Sequence, residues 1–194
     1  MLGVNPERFH PKNMPFPTAG QRQSYLRTYR QLVPPQERTI AEPMRYRDIL
    51  TAIYQGMKVP VTFAPAEPPQ VDRSRMRVHI NSRMFGLIAF DEIGRAAPLE
   101  LSQSLNDMLS FGAKTIQLSC PIDSPGLQLL ADAAWANGFF FSGIGPNFTG
   151  RSDTLAMQKL TEPLDTAKLQ LYSDLAKTLI AFIDQDRADL TKGS

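Results

Sequence analysis

Cys120 is the single cysteine of the 194-residue chain and its most nucleophilic side-chain candidate. It ends a short apolar run, precedes Pro121 and lies close to a predicted helix start, where a thiolate is favoured. A cysteine nucleophile needs a base, and both histidines, His10 and His79, are distant in sequence. The other reading is a small buried apolar residue at a strand end. Asp91 and Glu92 sit together at the end of a predicted strand, where close carboxylates can split their proton affinities. Adjacent strand residues point to opposite faces, so without a bulge these two form a solvated strand end. Asn147, Arg151 and Asp153 surround Gly150 in a polar stretch that either lines a cleft or satisfies a turn. One cysteine and two histidines leave no cysteine/histidine zinc set, so no metal is expected. Arg22, Arg27, Arg30, Arg38, Arg45 and Arg47, interleaved with Tyr25, Tyr29 and Tyr46, could hold phosphates and stack bases. Arginines equally pair with carboxylates. The net charge of only +2 and the lack of a recognised motif argue against a nucleic-acid partner.

The elements that must position these groups follow from periodicity. Residues 19–32 suggest a helix with sparse apolar positions, stopped by Pro34-Pro35. A better-patterned helix runs over 44–55, with Ile49, Leu50, Ile53 and Tyr54 on one face and Gly56 as its cap. Pro60, Pro65, Pro68 and Pro69 then make an extended connector. Strands follow over 75–81 and 84–93, joined at an Asn81-Ser82-Arg83 corner. The first has Met76, Val78 and Ile80 on one face, and Arg73, Arg75, Arg77 and His79 share the other. The second is apolar on both faces, as in a buried strand. A helix opens at Pro98 and runs to 111. A strand covers 115–120. Ser124 and Pro125 open the next helix, which Gly138 ends. Strands over 139–144 and 154–160 follow. The last helix is capped by Asp165, stapled by Leu164 and Leu169, and carries the stripe Tyr172, Leu175, Leu179, Ile180 and Ile183, which is core packing.

Composition divides the chain at about residue 70. Eleven of the 16 prolines precede it, and residues 1–70 carry nine Lys/Arg against five Asp/Glu. Residues 71–194 carry 12 and 14. Residues 1–70 therefore read as a proline-rich helical arm, and 71–194 as an α/β domain. With 42% hydrophobic and 21% charged residues the chain can build a core, which excludes wholesale disorder. No apolar run approaches the length of a membrane helix. No basic stretch followed by an apolar run opens the chain, so a cytoplasmic protein is expected.

The order strand–strand–helix–strand–helix–strand–strand over 75–161 resembles the C-terminal half of the GNAT acyltransferase fold. The segment SPGLQLLADAAWANGFFFSGIGP is similar to that family's helix, ended by a glycine-aromatic pair that enters a splayed strand. The stretches GQRQSYLRTYRQL, MRYRDILTAIY, GFFFSGIGPNF, DTLAMQKL and LYSDLAKTLIAFI, spanning 16–186, resemble the C-terminal portion of bacterial proteins with GNAT-like domains. Some of those are fused to a histidine-kinase-type ATPase module. The resemblance implies a GNAT-like mixed sheet flanked by helices, an α/β (α+β) fold.

It also implies a site. In the family a turn patterned Arg/Gln-x-x-Gly-x-Gly/Ala, with the following helix N-terminus, holds the pyrophosphate of acyl-CoA on backbone N–H groups. The matching turn is Ile93-Gly94-Arg95-Ala96-Ala97-Pro98, so Gly94, Arg95 and Ala96 are the expected acyl-CoA or acetyl-CoA contacts, although the full pattern is absent. Many members place a tyrosine acid four residues before the glycine of the glycine-aromatic pair. Ala134 stands there, and no catalytic residue is assigned. Two functions follow: acyl transfer from acyl-CoA to an amine, or a non-catalytic ligand-sensing or protein-interaction module. The first half of the family fold is missing, so either the arm covers the edge at strand 84–93 or two chains pair across it as a homodimer. A separate GNAT-like or ATPase-bearing partner is the other expectation.

Overall fold

Short apolar runs alternating with amphipathic segments fold residues 75–160 into one five-stranded mixed sheet in the computed structural model. The structure describes residues 4–7, 23–26, 34–81, 85–146, 152–164, 166 and 171–192. Ahead of the sheet, β1 (Val4–Glu7) pairs antiparallel with β2 (Gln23–Leu26). The helix expected over 19–32 is therefore strand at its centre. Its apolar positions were too sparse to make a helical face, and pairing satisfies the backbone instead.

Next comes a parallel β–helix–β unit. β3 (Arg38–Ala41) leads through a single 3-10 turn, Met44–Tyr46, into α1 (Arg47–Met57), and β4 (Val61–Ala64) returns beside β3. Ile49, Leu50, Ile53 and Tyr54 are buried, as their spacing predicts. Gly56 lies inside the last turn and is not the cap. Lys58 takes the left-handed position, at φ 57°. Gly56 instead admits the last helix, since a Cβ there would stand 2.6 Å from Leu175 Cδ2.

The main sheet has the order β5 (Arg75–Ile80), β6 (Phe85–Glu92), β7 (Thr115–Pro121), β9 (Thr154–Leu160), β8 (Phe140–Gly145). Only β6 and β7 are parallel; the other neighbours are antiparallel. The parallel pair requires a crossover, which α2 (Ala97–Ser110) supplies. α3 (Leu127–Ala136) connects β7 to β8. The expected element order over 75–161 is observed, and the chain has the expected α/β fold: a mixed sheet flanked by helices.

Two helix starts differ from expectation. α3 begins after Gly126, at φ 82°, and Ser124 is not its cap. α4 (Asp174–Lys192) begins nine residues beyond Asp165, because Ser173 Oγ accepts the Ala176 N–H at 3.2 Å and caps it there. Tyr172 precedes this helix fully exposed and does not share the stripe of Leu175, Leu179, Ile180 and Ile183. Asp165 and Leu169 lie outside the described residues, as do Ser82 and Arg83 of the expected corner.

The sheet edges are handled by two devices. β5 covers strand 85–92, so that strand is internal, and the edge passes to β5 with exposed Arg75, Arg77 and His79 along it. Charged side chains of this kind discourage edge pairing. The arm's hydrogen bonds to the sheet domain lie elsewhere. The arm docks near β7, β8 and α3: Ala41 N–H donates to Ile122 O at 3.0 Å, Met44 N–H to Gln128 Oε1 at 3.0 Å, and Tyr54 OH to Asp153 at 2.8 Å. At the opposite edge α4 seals β8. The Phe141 N–H donates to Asp186 Oδ2 at 2.7 Å, and Tyr46 OH donates to the same oxygen at 3.5 Å. Arg45 stands 3.8 Å from the other carboxylate oxygen. The rings of Tyr46, Phe141 and Phe182 pack around this contact with centroids 5.3–6.2 Å apart.

Burial raises the Asp186 carboxyl above its ordinary 3.8, outweighing the Phe141 N–H, Arg45 and Tyr46, which pull it down. A raised folded value means the native state holds this proton more tightly, so its contribution is full below 3.8 and lost as pH climbs from there through the folded value. Asp186→Ala, which orphans the Phe141 N–H, is expected to cost about 1–3 kcal/mol. Asp186→Asn keeps an acceptor and is expected to flatten the pH slope; urea titrations across a pH series measure both.

Candidate functional site

The concave region that the fold offers first lies at the carboxyl ends of β6 and β7. The ladder between them runs from Phe85↔Thr115 to Ala89↔Ser119 and then stops. Both strands continue, β6 on β5 and β7 on β9, so they part beyond Ala89 and Ser119. A mouth between parallel strand ends, followed by helices, is where α/β sheets take ligands.

The connector between β4 and β5 crosses this mouth. On one bank, the Gly126 N–H donates to Glu67 O at 2.7 Å, and a Cβ on Gly126 would stand 2.9 Å from both Pro69 Cγ and Ile93 Cγ2. On the other bank Val71 bridges Gly94 in parallel. The Arg95 N–H donates to Val71 O at 2.9 Å and the Ala96 N–H to Asp72 O at 2.9 Å. Gly94 N–H donates to Ser74 Oγ at 3.0 Å, and Ala97 N–H turns back to Gly94 O at 3.1 Å. Pro98 has no N–H to give. Each backbone donor from Gly94 to Ala97 is thus engaged within the chain.

The side chains complete the closure. Arg95 pairs with Asp72, and Glu100 accepts the Ser74 N–H at 3.2 Å while pairing with Arg73 at 3.5 Å. Gly94 is a glycine for a local reason: a Cβ there would stand 2.5 Å from the Arg73 carbonyl carbon and 2.7 Å from the Ser74 nitrogen. Backbone cannot yield that distance cheaply. The expected contacts Gly94, Arg95 and Ala96 are brought together, and what they touch is residues 71–74.

The other groups singled out by type fall in several places. Asp91 and Glu92 do line one small cleft of about 200 Å³, with Arg75 and Val71. The bulge that the sequence did not reveal is present in β6 itself: Arg75 faces Glu92 and the next residue, Met76, faces Phe90, so Asp91 is the extra residue. Arg77 chelates Asp91 through Nε at 3.1 Å and Nη2 at 2.8 Å. Cys120 is buried, and burial alone pushes its thiol up to about 12, so the small apolar reading holds. Ala134 is buried, and its methyl side chain carries no hydroxyl. Asp153 is an anchor: its carboxylate accepts Tyr54 OH and lies 3.6 Å from Arg38. Of the arginine group, Arg38 faces Asp153, Arg45 faces Asp186 and stacks 3.9 Å over Trp135, and Arg47 pairs with Glu42 over the Phe63 ring. Arg22, Arg27, Arg30, Asn147, Arg151 and His10 lie outside the described residues.

A second concavity, of about 820 Å³, was not foreseen. It opens between the ends of α3, β9 and α4, with Trp135, Phe140, Leu160, Leu164, Arg187 and Leu190 among its walls. These residues come from separate elements and share no sequence spacing. Among the described residues, no three His, Cys, Asp or Glu side chains gather to hold a metal ion, and no helix is long and apolar enough to cross a membrane.

Comparison with known proteins adds little. No family model matches the chain, and no curated protein matches it. A solved structure described as Ard1 from Thermoplasma volcanium is similar at 16% identity over 46% of this chain, with a TM-score of 0.34. The match spans 64% of that chain, a likeness too distant to carry an argument about function.

Two outcomes follow from this geometry. Gly94→Ala forces residues 73–74 off the turn, and is expected to cost about 1–3 kcal/mol and to strip hydrogen-exchange protection from the Arg95 and Ala96 amides. Cys120 is expected to resist iodoacetamide at neutral pH in the folded protein and to react fully in urea; rapid native labelling would contradict its burial.

Proposed function

We propose that this chain is a GNAT-related binding module, a ligand-sensing or interaction domain, whose acyl-carrier mouth is filled by its own connector. One observation carries this: the N–H groups of Gly94, Arg95, Ala96 and Ala97 donate to Ser74, Val71, Asp72 and Gly94, so the turn that would hold a pyrophosphate is already satisfied. Ala134, where the resemblance implies a tyrosine acid, points the same way. Fold alone does not carry the family's chemistry.

A second reading, acyl transfer from acyl-CoA to an amine, draws support from the parting of β6 and β7 after Ala89 and Ser119. It requires residues 67–74 to leave the mouth and free the amides. Catalysis would then rest on proximity and backbone polarisation of the thioester carbonyl. For a binding module, a second copy of the chain or a separately encoded GNAT-like or ATPase-bearing protein is the candidate partner.

Calorimetric titration with acetyl-CoA and with CoA separates the two. The binding-module reading expects neither heat nor a thermal shift at millimolar ligand. A micromolar dissociation constant, about −8 kcal/mol, that is lost in Gly94→Pro would replace it with the transferase reading. Light scattering on the same sample tests the homodimer.

A further inference from the structure

We propose that the free edge of β5 is a docking surface for an extended acidic segment of another protein, which adds to the sheet as a further strand. The inference deepens the interaction-domain reading and rests on it only in giving the domain a protein partner. The surface itself is separate from the β6–β7 mouth.

β5 ends the sheet, and among the described residues no strand pairs with its outer side. The backbone groups that face outward follow from the ladder. The Asn81 N–H donates to Phe85 O at 3.0 Å. Antiparallel neighbours exchange hydrogen bonds at every second residue, so Asn81, His79 and Arg77 bond inward to β6. Met76, Val78 and Ile80 therefore turn their N–H and C=O groups away from the sheet. Such a row is a template for another strand. It is open to solvent: Arg75, Arg77 and His79 are exposed, and Val78 is half exposed.

The side chains set which strand fits. One face carries Arg75, Arg77 and His79, with Arg73 just ahead of the strand. Two of these guanidinium groups are held from behind. Asp91, 29% exposed, takes Nε and Nη2 of Arg77, whose side chain is 67% exposed. Glu100, 13% exposed, pairs with Arg73, which is 81% exposed. The carboxylates therefore lie inside and the guanidinium groups outside. Arg75 and His79 have no carboxylate partner among the described residues. Asp72 turns to Arg95, and Glu92, opposite Arg75, closes the row at one end. A strand with Asp or Glu at every second position meets guanidinium donors there. Opposite charges across neighbouring strands stabilise the pairing, and like charges oppose it. The arginines that discourage casual pairing thus select an acidic partner, whereas a second copy brings arginines to the same face. On the other face Met76, Val78 and Ile80 match apolar residues at the alternate positions.

A fluorescein-labelled octapeptide alternating Glu and Val is titrated into the full chain and followed by anisotropy, with circular dichroism as a check on the fold. Saturable binding is expected, with a dissociation constant on the order of 10 μM. Hydrogen exchange is expected to show the Met76, Val78 and Ile80 amides gaining protection, while those of Arg77 and His79, already bonded to β6, change little. Arg75→Glu, a surface change, is expected to weaken binding about tenfold. Val78→Pro removes an outward N–H without breaking the β5–β6 ladder and is expected to abolish it. A Lys/Val peptide is expected not to bind. No saturable binding overturns the proposal. Equal binding of a peptide with the same residues in two blocks, or of a short RNA, overturns it as well, because either shows charge attraction without strand addition. A dimer in light scattering that Val78→Pro breaks gives the edge to a second copy and has the same result. Micromolar acetyl-CoA binding would count against the filled mouth and leave this edge standing; silence with both peptide and acetyl-CoA would remove the edge and leave the mouth filled.

Discussion

Two parallel strands that pair for five positions and then separate set the main constraint on this molecule. A gap at the carboxyl ends of parallel strands exposes backbone groups that need partners. Here the partners come from the chain itself. The connector after β4 supplies Glu67 O to α3's first turn, Val71 O and Asp72 O to the turn before α2, and the Ser74 hydroxyl to Gly94. The absence of a side chain at Gly94 and Gly126 lets this strap settle within van der Waals reach on both banks. The same glycine that resembles a phosphate-turn residue therefore acts as a backbone-packing residue.

The N-terminal β–helix–β unit is fixed to the sheet by a second principle, the pairing of buried tyrosines with buried carboxylates. Tyr54 reaches Asp153 ahead of β9, and Tyr46 reaches Asp186 on α4. Each carboxylate also faces an arginine, Arg38 or Arg45. Burial raises both phenols, Tyr46 and Tyr54, so they remain neutral donors. Desolvated charges of this kind add little net stability, but they penalise misdocking, because an unpaired buried carboxylate is costly. Asp186 has the added task of accepting an N–H from the edge of β8, which joins the last helix, the sheet and the arm at one atom.

With the mouth crossed by its own chain, an open concavity of about 820 Å³ lies elsewhere. The cleft at the ends of α3, β9 and α4 has walls that include Phe140, Leu160 and Leu190, with Arg187 held there by Leu164 O and Asp184. The exposed arginines and His79 of β5 leave that edge charged, so the sheet ends in a strand that resists casual pairing.

The order of elements from 75 to 160 was legible in the sequence, because period-two and helical patterns, Pro98 and Gly138 are local signals. The buried face of α1 was legible for the same reason. The strand at 23–26 was not, since its pairing with 4–7 is a long-range choice. Nor was the true start of α4, where Ser173 outcompeted an earlier candidate. Gly94 stood out as a glycine at a strand-to-helix turn, but what would approach it did not. The bulge that brings Asp91 and Glu92 to one cleft, the strap at 67–74 and the walls around Arg187 all join residues far apart in the chain. Local sequence sets which segments form strands and helices, because backbone preference and side-chain period act within a few residues. Tertiary packing alone decided which donors were satisfied and which cleft stayed open, because those outcomes depend on distances that no spacing in the chain encodes.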